Sequence, residues 1–325
     1  MGFRYRSFFR ITRRKIARPH RSRPEWLPLK SARLRAPAGS NPGTPAINPN
    51  LPPSPYNGAM QVRLISATLL TGLAAILTQV IPATESEAQT RAEYRFVRLE
   101  YTDLPQHHRR FGWSSRNGTG AGWWMMDWPD AETHFITAVR RLTRIDTGES
   151  THFRLTDARL FEHPWIYATQ VGWWQLSDEE VNKLREYLQR GGFLIVDDFW
   201  GADQWDVFRR TMERTLPSSP IVDVPDDDRV MHVLYDIQEK DRTFIPGSRH
   251  LHYGPDGQVT IEQPPGTTPL WRGIYDGRGR MVVAVSYNMD VADAWEFADR
   301  PEYPEHKTSL AYRYGINTII YAMTH

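Results

Sequence analysis

Cysteine is absent from all 325 residues of this chain. Its absence excludes disulfides, cysteine-ligated zinc sites, cysteine nucleophiles and a lipid-modified N-terminal cysteine. The HExxH zinc motif and the GxSxG serine-hydrolase motif are also missing, and no internal repeat occurs. The sequence therefore offers no motif for zinc-dependent or covalent hydrolysis.

Charge is distributed unevenly along the chain. Residues 1–59 contain 12 lysine or arginine residues, 10 prolines and a single acid, Glu25. Residues 89–325 contain 27 lysine or arginine residues and 35 acids, a formal charge of −8. The first segment predicts a disordered basic extension, because it has too little apolar surface to fold. The acidic remainder argues against nucleic acid as a partner.

Residues 60–88 have the pattern of a secretory signal peptide. Arg63 precedes an uncharged stretch of 18 residues, 64–81, and the small residues Ser86 and Ala88 fit a cleavage site. We therefore expect a periplasmic or otherwise exported protein. The alternative is an uncleaved inner-membrane anchor through residues 64–81, with the domain outside the cytoplasm, because 18 residues can just span a bilayer.

Met60 stands where the start of such a signal peptide is expected. Signal peptides lie near the N-terminus of the translated chain. We therefore expect residues 1–59 to be a mis-assigned start. The folded domain is predicted over residues 92–325.

Strand and helix patterns alternate in that domain. Trp165–Thr169, Phe193–Val196 and Met281–Tyr287 are apolar runs typical of buried strands. Helices are predicted from the capping box at Ser177 and Glu180, and over residues 130–143, 202–215 and 308–323. The alternation predicts an α/β fold, a mostly parallel sheet with helices on both faces.

Acidic side chains follow two of these strands. Ligands of parallel sheets bind at the carboxyl ends of the strands, so we predict a pocket there. Trp295, nearby in sequence, is the candidate for stacking on the ligand, and the alternative is that it packs in the core or covers the sheet. The candidate ligand-binding residues are Asp197, Asp198, Asn288, Asp290, Asp293 and Trp295.

Two interpretations of these side chains stay open. Carboxylates with an asparagine oxygen suit a hard cation such as Mg²⁺ or Ca²⁺. Alternatively, aspartate and asparagine after strands cap helices and make turns. From sequence we assign no catalytic residue, no metal ligand and no cofactor.

Three stretches of the chain resemble one protein family: Leu184–Gly201, Gly279–Glu296 and Tyr314–His325. Together they are similar to domain-of-unknown-function family 4159, over roughly residues 92–325. The resemblance implies a class I glutamine-amidotransferase-like, flavodoxin-type fold in an exported or membrane-tethered bacterial protein. It implies no activity, and this chain lacks the cysteine that the usual enzymes of that fold employ.

We predict a non-catalytic domain of the bacterial envelope that binds a small molecule or an envelope protein. The first alternative is a carboxylate-dependent hydrolase acting on sugar or cell-wall material. It requires two acids, such as Asp198 and Asp290, in one cleft and closer than about 10 Å. The second alternative is a structural subunit of a membrane complex.

Overall fold

The computed structural model describes residues 92–107, 122–255 and 257–325. The predicted extension (1–59) and the predicted leader (60–88) lie outside these residues. Within the described ranges, no helix combines the length and the apolar character needed to cross a membrane.

A seven-stranded sheet forms the centre of the domain, in the order β2-β1-β3-β4-β9-β8-β5. The first five strands in this order are parallel, β8 is antiparallel to β9, and β5 is antiparallel to β8. This confirms the mostly parallel α/β sheet, and the order of its five parallel strands is that of flavodoxin-like folds. A separate hairpin is formed by β6 and β7. The strands are β1 (Val97–Glu100), β2 (Thr151–Arg154), β3 (Trp165–Thr169), β4 (Phe193–Asp197), β5 (Ile221–Asp223), β6 (Leu251–Tyr253), β7 (Val259–Ile261), β8 (Leu270–Tyr275) and β9 (Met281–Tyr287).

Helices cover both faces of the sheet, which explains why every residue of β3, β4 and β9 is buried. On one face, Phe135, Trp295 and Tyr314 share a core. On the other face, Leu184 and Phe208 share a second core. The α-helices are α1 (Asp130–Leu142), α2 (Asp178–Gln189), α3 (Gly201–Thr215), α4 (Arg229–His232), α5 (Val291–Glu296) and α6 (Glu305–Thr324).

The local sequence signals act as predicted at several boundaries. The Ser177 side chain accepts from the backbone N–H of Glu180, and the Glu180 side chain accepts from the backbone of Ser177, which confirms the capping box. The β6–β7 hairpin lies in the Gly/Pro-rich region 240–272. Three strands outside the predicted apolar runs lie at the margins of the sheet: β2 and β5 are its edges, and β8 lies next to β5.

The two edge strands are short and carry charged side chains. On β2, Arg154 and His152 contact Glu100 of β1, at 2.8 and 3.2 Å. On β5, which has three residues, Asp223 accepts from Arg272 of β8 at 2.9 Å.

Three strands end in the same backbone conformation. The residue immediately after β3, β4 or β9 has a positive φ although it is not glycine: Gln170 (53°), Asp198 (48°) and Asn288 (57°). A left-handed conformation is costly for residues with a Cβ atom, and least so for aspartate and asparagine. Such conformations collect at functional sites. All three lie at the carboxyl edge of the parallel strands.

Candidate functional site

Five carboxylates meet at this carboxyl edge. Oxygens of Asp127, Asp198 and Asp290 lie within 4.8 Å of one another. Oxygens of Asp127, Asp293 and Glu296 form a second such group. We call these five residues the carboxylate cluster, and Asp127 belongs to both of its groups.

The fold explains how the cluster forms. Asp198 follows β4 and Asp290 follows β9, and these strands are parallel neighbours, so their ends meet. Asp290 is also the N-cap of α5, where its Oδ1 accepts from the backbone N–H of Asp293 at 2.9 Å. Asp293 and Glu296 then stand one turn apart on α5, on the same side of the helix.

Asp127 reaches the cluster from the segment between β1 and α1. Its own φ is 65°, a conformation that aspartate tolerates. Arg98 of β1 is fully buried and donates to the carbonyls of Trp124 (3.0 Å) and Met126 (2.5 Å). The same guanidinium pairs with Glu132 of α1 at 2.5 Å. Arg98 therefore fixes the backbone on the N-terminal side of Asp127.

The members of the cluster differ in burial. Asp198 and Asp290 are 1% and 2% exposed, whereas Asp127 and Glu296 are half-buried. The Oδ2 atom of Asp127 is buried, and no described residue forms a hydrogen bond with it. A buried carboxylate oxygen without a partner is unfavourable unless a positive group, or a proton on a neighbouring acid, satisfies it.

A second buried polar atom lies at the same edge. Thr169 is the last residue of β3, is paired in register with Asp197 and is fully buried. It shares a sheet face with Tyr167, because side chains two residues apart on a strand point the same way. Among the described residues, none bonds to its hydroxyl.

One guanidinium contacts the cluster directly. Arg249 Nη2 lies 3.3 Å from Asp198 Oδ1, and the arginine side chain is 53% exposed. Asp198 also accepts from the indole N–H of Trp200 (2.7 Å) and from the Gln170 amide. The single positive charge of Arg249 does not neutralise the negative charge of five carboxylates.

Burial and mutual repulsion raise the pKa values of the cluster. Burial raises the pKa of Asp127 and of Asp290 well above the usual range, and neighbouring carboxylates raise both further. Burial, with repulsion from neighbouring acids, raises the pKa of Asp293 to about 6 and that of Glu296 to about 7. Without a cation, Glu296 is therefore about half-protonated near pH 7 in the folded protein, and Asp293 loses its proton about one pH unit lower.

The segment 245–250 lies over the cluster. The backbone N–H of Asp290 donates to the Ile245 carbonyl at 3.0 Å, and the backbone N–H of Ser248 donates to Asp293 Oδ2 at 2.6 Å. At Gly247, a Cβ atom would stand 2.8 Å from Asp290 Oδ2. The absence of a side chain at residue 247 thus leaves room beside two carboxylates.

The sequence predicts Asp197 in the pocket. In the structure, both of its carboxylate oxygens accept hydrogen bonds from other residues of the domain. Its Oδ1 accepts from the Tyr167 hydroxyl at 2.5 Å. Its Oδ2 accepts from the backbone N–H groups of Val291 (2.7 Å) and Ala292 (3.0 Å), at the start of α5. Burial raises its pKa to about 7. Asp197 therefore anchors α5, which carries two members of the cluster.

Asn288 and Trp295 also lie beside the cluster without joining it. The Asn288 side chain accepts from the Gly201 backbone N–H and donates to the Thr268 carbonyl, both at 2.9 Å. The Trp295 ring is fully buried, 4.3 Å from the ring of Phe135. No surface of that ring is available for stacking on a ligand.

Two members of the cluster, Asp127 and Glu296, are not among the residues predicted from sequence. Asp127 lies 71 positions before Asp198 in the sequence. One signal was present: Asp127 stands in the loop after the first strand, and this loop also ends at the carboxyl edge.

Comparison with known protein families identifies the family of the chain. A family model described as Domain of unknown function (DUF4159) matches residues 113–323, well over half of the chain. All five residues of the carboxylate cluster lie within the matched region. Among curated proteins, none matches the chain.

Proposed function

Since the chain belongs to the DUF4159 family, whose description gives no activity, we propose a function from the carboxylate cluster itself: the domain binds a divalent cation. Asp127, Asp198 and Asp290 supply oxygens from three separate segments, and Asp293 and Glu296 supply the others. The observation that carries the proposal is the buried Oδ2 of Asp127, which no described residue satisfies, in the residue common to both carboxylate groups.

The ligand atoms favour a hard ion. Every member of the cluster offers oxygen, the donor that Ca²⁺ and Mg²⁺ prefer. Two oxygens bound to one Ca²⁺ at roughly 2.3–2.6 Å are at most about 5 Å apart. The 4.8 Å limit within each group fits that spacing. Around Mg²⁺ two bound oxygens are at most about 4.2 Å apart, because its bonds are about 2.0–2.1 Å long.

The distance between two carboxylates supports the hydrolase alternative, but their burial argues against it. The carboxylates of Asp198 and Asp290 are close enough for two-carboxylate chemistry, since their oxygens lie within 4.8 Å. However, both residues are almost completely buried, and a sugar ring has to reach both carboxylates from opposite sides. A single ion needs far less space, so the geometry favours cation binding.

We further infer a non-catalytic, exported domain of the class I glutamine-amidotransferase-like superfamily. The order of the five parallel strands supports this relationship, and the missing cysteine supports a non-catalytic role. The signal-peptide pattern of residues 60–88 supports export to the bacterial envelope. There, the cation would organise the site for a small ligand or a protein partner.

The decisive experiment measures thermal unfolding and calorimetric titration of the full chain with Ca²⁺ and with Mg²⁺, after EDTA treatment. An ion at 100 times its dissociation constant stabilises the fold by about 2.7 kcal/mol. Asp127→Asn should weaken the affinity at least tenfold. It keeps a residue that tolerates the left-handed backbone, so the fold is preserved.

Asp299→Asn is the matched control, because Asp299 is exposed, follows closely after α5 and is not part of the cluster. It should bind the cation like the wild type. The absence of any cation-dependent stabilisation of the wild type, or an equal stabilisation of Asp127→Asn, would overturn the proposal.

A further inference from the structure

Arg249 stands at the rim of the carboxylate cluster with its guanidinium held on three sides. Nη2 contacts Asp198 Oδ1 at 3.3 Å, and Nε donates to His250 Nε2 at 3.2 Å. The guanidinium carbon lies 4.9 Å from the centre of the Trp200 ring. Half of the side chain nevertheless remains exposed. A fixed but exposed guanidinium is a preorganised donor for a planar anion.

The support under Arg249 is itself rigid. The Trp200 indole donates to Asp198 Oδ1 at 2.7 Å, and the Trp200 backbone N–H donates to Gln204 at 2.8 Å. Among the described residues, none accepts a hydrogen bond from Nη1 of Arg249. The free edge of the guanidinium is therefore available to a ligand.

Asp198 joins this guanidinium to the proposed cation. The residue contacts Arg249 and is at the same time one of the three acids in the first carboxylate group. Two positive groups that share one carboxylate lie within reach of a single bidentate anion. A cation of this kind also accepts ligand oxygens beyond those that the protein supplies.

We infer that the cation and Arg249 together bind an oxyanion, a carboxylate or phosphate group of a small ligand. This inference rests on the proposed cation site. The oxyanion places one oxygen on the ion and another on Nη1 of Arg249. A neutral sugar offers no charge to complement the pair, so the site selects acidic ligands.

The test uses the full chain and two simple probes, phenyl phosphate and benzoate, with benzyl alcohol as the neutral comparison. In Mg²⁺, we expect calorimetry to detect binding of at least one acid and no binding of the alcohol. Removal of the ion with EDTA should weaken the acid at least tenfold. Comparison of the two acids decides between phosphate and carboxylate.

Arg249→Gln should weaken the acid at least tenfold, while cation affinity is kept or increased, because a positive charge has been removed. Arg272→Gln is the matched control. Arg272 also lies over a tryptophan, Trp205 (4.8 Å), and pairs with an aspartate, Asp223 (2.9 Å). It should leave both affinities unchanged.

The outcomes separate the inference from the proposed function. If the cation binds and both acids fail to bind, or bind Arg249→Gln as well as the wild type, the oxyanion site is wrong and the cation site stands. If an acid binds in EDTA with the same affinity as in Mg²⁺, the inference that the cation and Arg249 bind it together is also wrong. If no cation binds, the proposed function fails.

Discussion

Gly247 lies directly against Asp290: a Cβ atom on residue 247 would stand 2.8 Å from Asp290 Oδ2 and 3.2 Å from Asp293 Oδ2. The backbone of Gly247 has φ −70° and ψ 158°, which any residue adopts. Substitution by alanine therefore carries no backbone penalty, and its effect is confined to the space beside the carboxylates.

We predict that Gly247→Ala lowers cation affinity at least tenfold, because the methyl group displaces the oxygens that hold the ion. The stability of the cation-free protein should change by no more than about 1–2 kcal/mol, since only a local shift is needed. Calorimetric titration and urea unfolding measure the two effects. Gly277→Ala is the control, because nothing lies within 4 Å of its Cβ position; equal affinities of the two variants would contradict the prediction.

The cation-free protein should lose stability as pH rises. Burial raises the pKa of Asp293 to about 6 and that of Glu296 to about 7, from ordinary values near 4. The folded state thus binds more protons than the unfolded state, so this stability is present at pH 4 and is lost as pH rises through 6 and 7. Ca²⁺ should restore it, because the ion replaces the protons.

The variant Glu296→Gln removes the titration of one carboxylate, so it measures the contribution of Glu296 to the pH dependence of stability. Burial lowers the pKa of His163 to about 4, so this histidine acts in the opposite direction: its contribution is lost as pH falls from 6.5 through 4. The difference in unfolding free energy between variant and wild type cancels the histidine. In EDTA, Glu296→Gln should gain roughly 1–2 kcal/mol relative to wild type between pH 5 and 8, allowing for its partial exposure. A difference that does not vary with pH would refute the assignment.

The buried pair of Arg98 and Glu132 should be essential to the fold. Arg98→Met leaves the Glu132 carboxylate buried without its partner and frees two backbone carbonyls. Removal of one partner of a buried ion pair costs about 3–5 kcal/mol. Arg98→Lys keeps the positive charge but loses the planar guanidinium that contacts three oxygens. In urea unfolding, its stability should therefore lie between that of Arg98→Met and that of the wild type. Full recovery would show that charge alone matters.

Asp197 and Asp198 should behave differently although they are adjacent. Asp197→Ala removes the acceptor of the Tyr167 hydroxyl and of two backbone N–H groups, which costs roughly 2–4 kcal/mol of stability. Asp198→Asn should instead lower cation affinity at least tenfold in titration. A normal cation affinity in Asp198→Asn, measured with the folded variant, would remove this residue from the site.

Sequence patterns predicted the central strands of the sheet better than its edge strands. Phe193–Val196 and Met281–Tyr287 were identifiable because strands buried on both faces are continuously apolar. By contrast, β2 buries only Phe153 of its four residues, so no strong periodicity marks it.

The candidate site was predictable in part for a similar reason. Asp198 directly follows β4, and Asp290 and Asp293 lie at the start of the helix that comes shortly after β9, so the sheet places them. Asp127 depends on the contacts that Arg98 makes with a loop, and a sequence does not reveal such contacts. Asp197 forms hydrogen bonds within the fold and Asp198 joins the cluster because the backbone is left-handed at Asp198. The sequence does not reveal this backbone conformation either.

The two edges of the sheet bear on how this protein behaves at high concentration. An unpaired edge strand offers free N–H and C=O groups to another chain, and long apolar edges promote aggregation. Here β2 and β5 have four and three residues, with the ion-paired Arg154 on one and Asp223 on the other. A second molecule adding a strand would form few hydrogen bonds with such short strands and would meet charged side chains, so both edges disfavour growth into fibres.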